Sequence, residues 1–168
     1  MPHFLFEHNE GGVSNYGVHV LTVVPYTLAF GLGGVFMLLA VQAIPQHIKP
    51  SRREVRIVLS TLGYLLLLVL LTTYPYKINR FYDNLHIFTS IVLFVTELIV
   101  GTWLVARLVS DRVNATLLAI QIFGSLLSLL TLAGVLHVLF ISQFIVGLAF
   151  GALLVRTLSH TLDTPGTR

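Results

Sequence analysis

NATLLAIQIFGSLLSLLTLAGVLHVLFISQFIVGLAFGALLV, residues 114–155, runs for 42 residues without one charged side chain. As a single α-helix it would reach about 63 Å, roughly twice the hydrocarbon thickness of a bilayer. It must therefore fold back on itself. The reversal is expected between Gly134 and Ser142, where a glycine, His137 and the Ser142-Gln143 pair interrupt the apolar run. Outward from this hairpin, residues 18–43, 57–73 and 85–106 form three more apolar tracts, each suited to one crossing. The reading is an all-α, polytopic integral membrane bundle of five transmembrane helices, at about 18–43, 55–74, 85–107, 114–134 and 138–158. Residues 1–17 form an outer cap, and residues 1–168 make a single transmembrane domain.

Composition agrees with that solvent. Apolar residues make up 55% of the chain and charged residues 10%, with a mean hydropathy of +0.88, more than a water-soluble globule of this size can hide. There is no cysteine, so disulfides, thiolate metal sites and thiol chemistry are excluded. The basic pI of about 9.5 does not imply a nucleic-acid partner, because the basic residues are scattered over the connections. Lys49, Arg52, Arg53, Arg56, Arg107, Arg112, Arg156 and Arg168 all fall on one side of the five-helix scheme, and Lys77 and Arg80 on the other. The positive-inside bias then places the N-terminus outside and the C-terminus in the cytoplasm. The Asn114-Ala115-Thr116 sequon falls on the cytoplasmic side and is discounted. The opening residues lack the basic n-region and small-residue cleavage site of a signal peptide.

Polar residues inside the spans are the first candidates for function. Glu97 stands near the middle of the 85–106 tract, where an ionised, unpaired carboxylate is costly, so the neutral acid is the expected form. His86, Ser90, Leu93, Glu97 and Gly101 share one helix face, and Gln121, Gly124, Ser125, Ser128 and Thr131 form a second polar stripe. Glu97 is expected either to hydrogen-bond Ser90, Gln121, Ser125 or Ser128 as a strut, or to carry protons or ions. Gly31, Gly33 and Gly34 on the first helix, and the Gly147/Gly151 pair on the fifth, predict close helix contacts. For Gly147 and Gly151 the contact is within the chain first, and between copies in a homo-oligomer second.

The outer face collects a richer set. Ser14, Asn15 and Tyr16 precede the first helix, and Lys77, Arg80 and Asp83 surround the second connection, a combination able to hold a lipid headgroup or simply to cap the bundle. His19, His86 and His137 fall at similar predicted depth on three segments, the minimum set for a zinc ion. No HExxH spacing, serine-hydrolase elbow or phosphate-binding glycine loop accompanies them.

GGVSNYG (residues 11–17), STLGYLLLLVLLTTYPY (60–76) and YDNLHIFTSIVLF (82–94) occur in an order that resembles the DRAM-like superfamily and its bacterial branch of unknown function. The resemblance covers most of the chain and falls on Ser14, Asn15, Pro75 and His86. The family has a helix ahead of the polar loop that is missing here, and an acidic residue where this chain has Asn15. It implies a five-to-six-helix bundle, a first helix absent from this branch or this sequence, and a bacterial plasma membrane location. Eukaryotic relatives act in lipid-linked processes.

The function expected from these readings is non-catalytic interaction with membrane lipids or a protein partner through the outer polar cap, with no resident cofactor. Two alternatives stand beside it: a metal-dependent membrane enzyme acting on lipid through His19, His86 and His137, and a small proton- or ion-coupled transporter built on Glu97.

Overall fold

In the computed structural model of the protein, the described residues are 13–18, 20–44, 52–75 and 78–163. A 3-10 turn, Val13–Gly17, precedes five helices: α1 Val23–Ala43, α2 Arg52–Thr73, α3 Arg80–Arg107, α4 Arg112–Leu132 and α5 Leu139–Asp163. All five are long and apolar enough to cross a membrane, and no strand occurs among the described residues. Their outer faces require lipid. Phe36, Phe88, Phe123 and Leu148 each expose more than half of their surface, and water would forgo about 2 kcal/mol for each such side chain left uncovered.

The long uncharged stretch breaks at residues 133–138, inside the expected window, so Ser142 and Gln143 belong to α5. Gly134 makes the break with φ at +75°, a left-handed conformation that costs glycine little and other residues much. The amides of Ala133, Gly134 and Val135 donate to the carbonyls of Leu129, Thr131 and Leu130 at 2.9 Å each, which satisfies the end of α4.

Helix starts are set by caps more than by hydropathy. Asn79 Oδ1 accepts the amides of Phe81 and Tyr82 at 3.1 Å each, so α3 begins at Arg80, a turn earlier than its apolar tract. Asp111 Oδ1 accepts the Asn114 amide at 2.7 Å and starts α4 at Arg112. In α1, Pro25 sits in the first turn, where its missing N–H costs nothing.

The described residues form two compact units, those within 17–100 with 161–163, and 13–16 with 101–160. In the first, α1 and α2 pack antiparallel: Gly31 faces Leu70, Gly34 faces Leu67, and Gly63 faces Leu38. The close approach expected at the first-helix glycines is there, with Gly63 as the opposing residue. Gly17 packs on Tyr26 and Thr73 at one end of this pair, where an added Cβ would lie 2.5 Å from Thr73 Cγ2.

In the second unit, α4 and α5 are also antiparallel. Gly124 lies against Ser142 and Val146, Ser128 Oγ donates to Ser142 Oγ at 2.8 Å, and Asn114 Nδ2 lies 3.4 Å from Thr157 Oγ1. The Val13 amide donates to Gln143 Oε1 at 2.7 Å, and Gly101 packs directly on the Gln121 side chain. Gly147 and Gly151 take no part. A Cβ at either would meet nothing within 4 Å, so the within-chain contact expected of that pair is not made. The spacing puts the two glycines on one face, and a Cβ on that face meets open space.

Arg156 Nη2 donates to Asp111 Oδ2 at 2.9 Å, tying the last turns of α5 to the start of α4. The Asn114 amide hydrogen bond first, and then the Arg156 guanidinium, hold the Asp111 carboxyl below its ordinary value. A lowered folded-state value means that the stabilisation is fully present above the unfolded carboxyl range near pH 4 and is lost as pH falls through the folded value. Asp111→Asn is therefore expected to melt slightly below wild type at pH 7 and to converge on it once pH falls below the folded value. The effect is small, because both partners are largely exposed. A constant offset across that pH range would contradict the assignment.

Candidate functional site

The expected outer set lies only in part within the described residues. The side chains of Asn15, Tyr16, His19 and Lys77 lie outside the described residues, while Ser14 is half-buried, Arg80 exposed and Asp83 half-buried. His86 is 3% exposed and closes a buried hydroxyl cluster between the C-terminal end of α2 and the start of α3. Its Nδ1 lies 3.2 Å from Thr72 Oγ1 and 3.5 Å from Thr73 Oγ1. Thr72 and Thr89 meet at 3.0 Å, and Tyr26 reaches Thr73 at 3.0 Å from α1.

Counting protons assigns the imidazole. Thr73 donates to the Val69 carbonyl at 2.8 Å, so its oxygen accepts from Tyr26. With the Thr72 proton placed on the Leu68 or Val69 carbonyl, each 3.0 Å away, its oxygen is an acceptor and His86 Nδ1 is the donor. The cluster ties three helix ends together. His137, by contrast, is exposed in the connection between α4 and α5. Among the described residues no three His, Asp or Glu side chains group as metal ligands.

The intramembrane stripes are real as buried faces. His86, Leu93 and Gly101 on α3 are buried, with Ser90 and Glu97 half-buried, and Gln121, Ser125 and Ser128 on α4 are buried. The expected Ser90–Glu97 bond does not form: Ser90 Oγ has no partner. Seven residues along a helix put the two groups about 10 Å apart, beyond the reach of either side chain. The Ser125 and Ser128 hydroxyl protons are engaged at Gln121 O, 2.7 Å away, and at Ser142 Oγ.

A different site appears at the other end of the α1–α2 pair. The backbones touch at Gly34 and Gly63, and about 10 Å further along both helices, at Val41 and Arg56, a groove of about 690 Å³ opens. Arg52, Arg53 and Arg56 form its head, Val41 and Ile57 are apolar walls, and Ser60, Thr61 and Tyr64 continue along α2. No carboxylate lines it, and none of the three arginines pairs with a described carboxylate. Arg52 Nε is buried without a hydrogen-bond partner. Three arginines within five residues, against the single Glu54 among them, leave a positive excess that adds to the positive end of the α2 dipole, so the head of the groove favours an anion.

The chain matches no protein-family model, no curated protein and no solved structure. The groove therefore speaks through its chemistry alone. The sequence contained a sign of it: Arg52, Arg56 and Ser60 fall at four-residue steps, with Arg53, Ile57, Thr61 and Tyr64 beside them, which is one helix face. Read only as topology determinants, those arginines give a charge total and no face.

Proposed function

We propose that this protein is a multi-pass protein of a bacterial plasma membrane that binds the anionic headgroup of a membrane lipid, without transforming it, at the basic end of α2. The observation that carries the reading is the groove headed by Arg52, Arg53 and Arg56, with no carboxylate among its described lining residues. Guanidinium groups grip phosphate oxygens in a bidentate fork, and basic residues at a membrane surface each gain about 1 kcal/mol from anionic lipid. With the basic side inward, the groove opens to the cytoplasmic leaflet, where anionic lipid gives the surface its negative potential. The described lining residues are three arginines, three hydroxyl side chains, a valine and an isoleucine, a set suited to holding an anion. The lipid-linked roles implied by the DRAM-like resemblance point the same way.

The test compares lipid retained from mixed bilayers, read by native mass spectrometry. Wild type is expected to hold phosphatidylglycerol over phosphatidylcholine by about tenfold or more. Replacing Arg52, Arg53 and Arg56 together by glutamine should bring that preference to parity. The lysine triple keeps the positive charge that orients the chain but loses the planar fork, and should fall between. Equal retention by wild type and the glutamine triple would refute the headgroup reading.

A further inference from the structure

The groove continues well beyond its arginines, and what lies there is not needed to hold a phosphate. From Arg52 to Tyr64 it follows α2 for about 18 Å, from the polar end of the span into the hydrocarbon layer. Its character changes with depth, from guanidinium groups to hydroxyls, with Val41 and Ile57 as apolar walls.

The hydroxyls are unusual within this chain. Thr72, Thr96 and Ser125 each donate back to the carbonyl four residues earlier, the ordinary way for a helix to satisfy such groups in lipid. Ser60, Thr61 and Tyr64 form no hydrogen bond with any described residue and line the groove instead. Donors held in a membrane span without an internal acceptor call for one from outside.

Resting on the headgroup reading above, we infer that the ligand is a diacyl glycerophospholipid bound lengthwise, and that Ser60, Thr61 and Tyr64 donate hydrogen bonds to its ester carbonyls. The depths agree. Ser60 lies four residues, or about 6 Å, below Arg56, and the headgroup layer of a bilayer leaflet is also about 6 Å thick. A phosphate at Arg52, Arg53 and Arg56 thus brings the glycerol esters level with Ser60 and Thr61. The acyl chains run on past Tyr64 into the hydrocarbon layer. A free phosphate would fill only the head and leave the hydroxyls and apolar walls uncovered.

The experiment uses the full chain in bilayer nanodiscs, with diacyl phosphatidylglycerol competing against its dialkyl ether analogue. The two share headgroup and chains and differ in the carbonyls alone. Wild type is expected to retain the diacyl form about fivefold better, and the variant Ser60→Ala, Thr61→Val, Tyr64→Phe to lose that preference while keeping its preference for anionic over zwitterionic lipid. Its melting temperature should be unchanged, since the three hydroxyls hold nothing within the chain. Equal retention of ester and ether lipids by wild type would overturn the inference and leave the headgroup reading standing. A fall in melting temperature that accounts for the lost preference would likewise assign the hydroxyls to folding. Loss of the anionic preference in wild type would remove the headgroup reading itself. Soluble glycerol 3-phosphate should compete weakly with either lipid, and competition equal to that of the diacyl lipid would show that the head alone is the site.

Discussion

Gly63→Leu is expected to separate α1 from α2 and lower stability by about 3 kcal/mol. A Cβ at Gly63 would lie 2.9 Å from Leu38 Cγ and 3.0 Å from the Gly34 carbonyl oxygen. At Gly34 it would lie 2.7 Å from Leu67 Cγ and 3.0 Å from the Gly63 carbonyl. A leucine side chain can swing aside. A carbonyl in a helix cannot move without carrying the helix with it, so the strain has no local outlet. Gly147→Leu and Gly151→Leu are the controls: their added side chains enter open space, and the gain in helix propensity should leave melting at or above wild type. Detergent melting followed by circular dichroism checks all three, and a Gly63→Leu protein that melts with wild type would mean that the helices do not meet there. The same substitution should abolish lipid selectivity, because the groove at Val41 and Arg56 is built by the contact two turns below it.

Hydropathy made the five spans legible, since lipid tolerates only long apolar helices and the 114–155 stretch had room for two. The turn was legible for the same reason, and Gly134 at positive φ is the residue type that such a turn needs. Helix starts were less so. Asn79 and Asp111 lie outside the apolar tracts, and their contribution is a hydrogen bond to an amide two or three residues on, which a hydropathy profile does not register. Glycines show the limit most clearly. GxxxG spacing at Gly147 and Gly151 announces a flat face but cannot say whether a helix lies on it, while Gly63 stands alone in its helix and marks a backbone-to-backbone approach of α1 and α2 in the first unit. For the arginines the sum serves the topology reading, and their spacing, which puts them on one helix face, adds what the sum does not carry. Arg52, Arg53 and Arg56 become a site only when Val41 is brought alongside by the Gly34/Gly63 seam, and that pairing is tertiary information.

His86→Ala is expected to cost about 2 to 3 kcal/mol, and the pattern among its variants separates a strut from a ligand. The alanine opens a cavity beside Thr72, Thr73 and Thr89, all 5% exposed or less, and removes the Nδ1 donor from an oxygen that has no proton to spare. Asparagine places an amide nitrogen where Nδ1 stood, so His86→Asn should recover part of the loss. Glutamine carries its nitrogen further out, toward the Nε2 position, and should recover less. That ordering, wild type above asparagine above glutamine and alanine, is what an imidazole working through Nδ1 requires. Zinc ligation would give another ordering. The assigned proton on Nδ1 leaves only Nε2 to bind an ion, so both amide variants would lose the metal and neither would be favoured. A wild-type melting temperature that rises with added zinc, while that of His86→Asn stays fixed, would return His86 to the metal-dependent reading. The expected result is no zinc shift in either protein, with the asparagine variant recovering more stability than glutamine, because the geometry commits Nδ1 to the threonine hydroxyl between two helix ends.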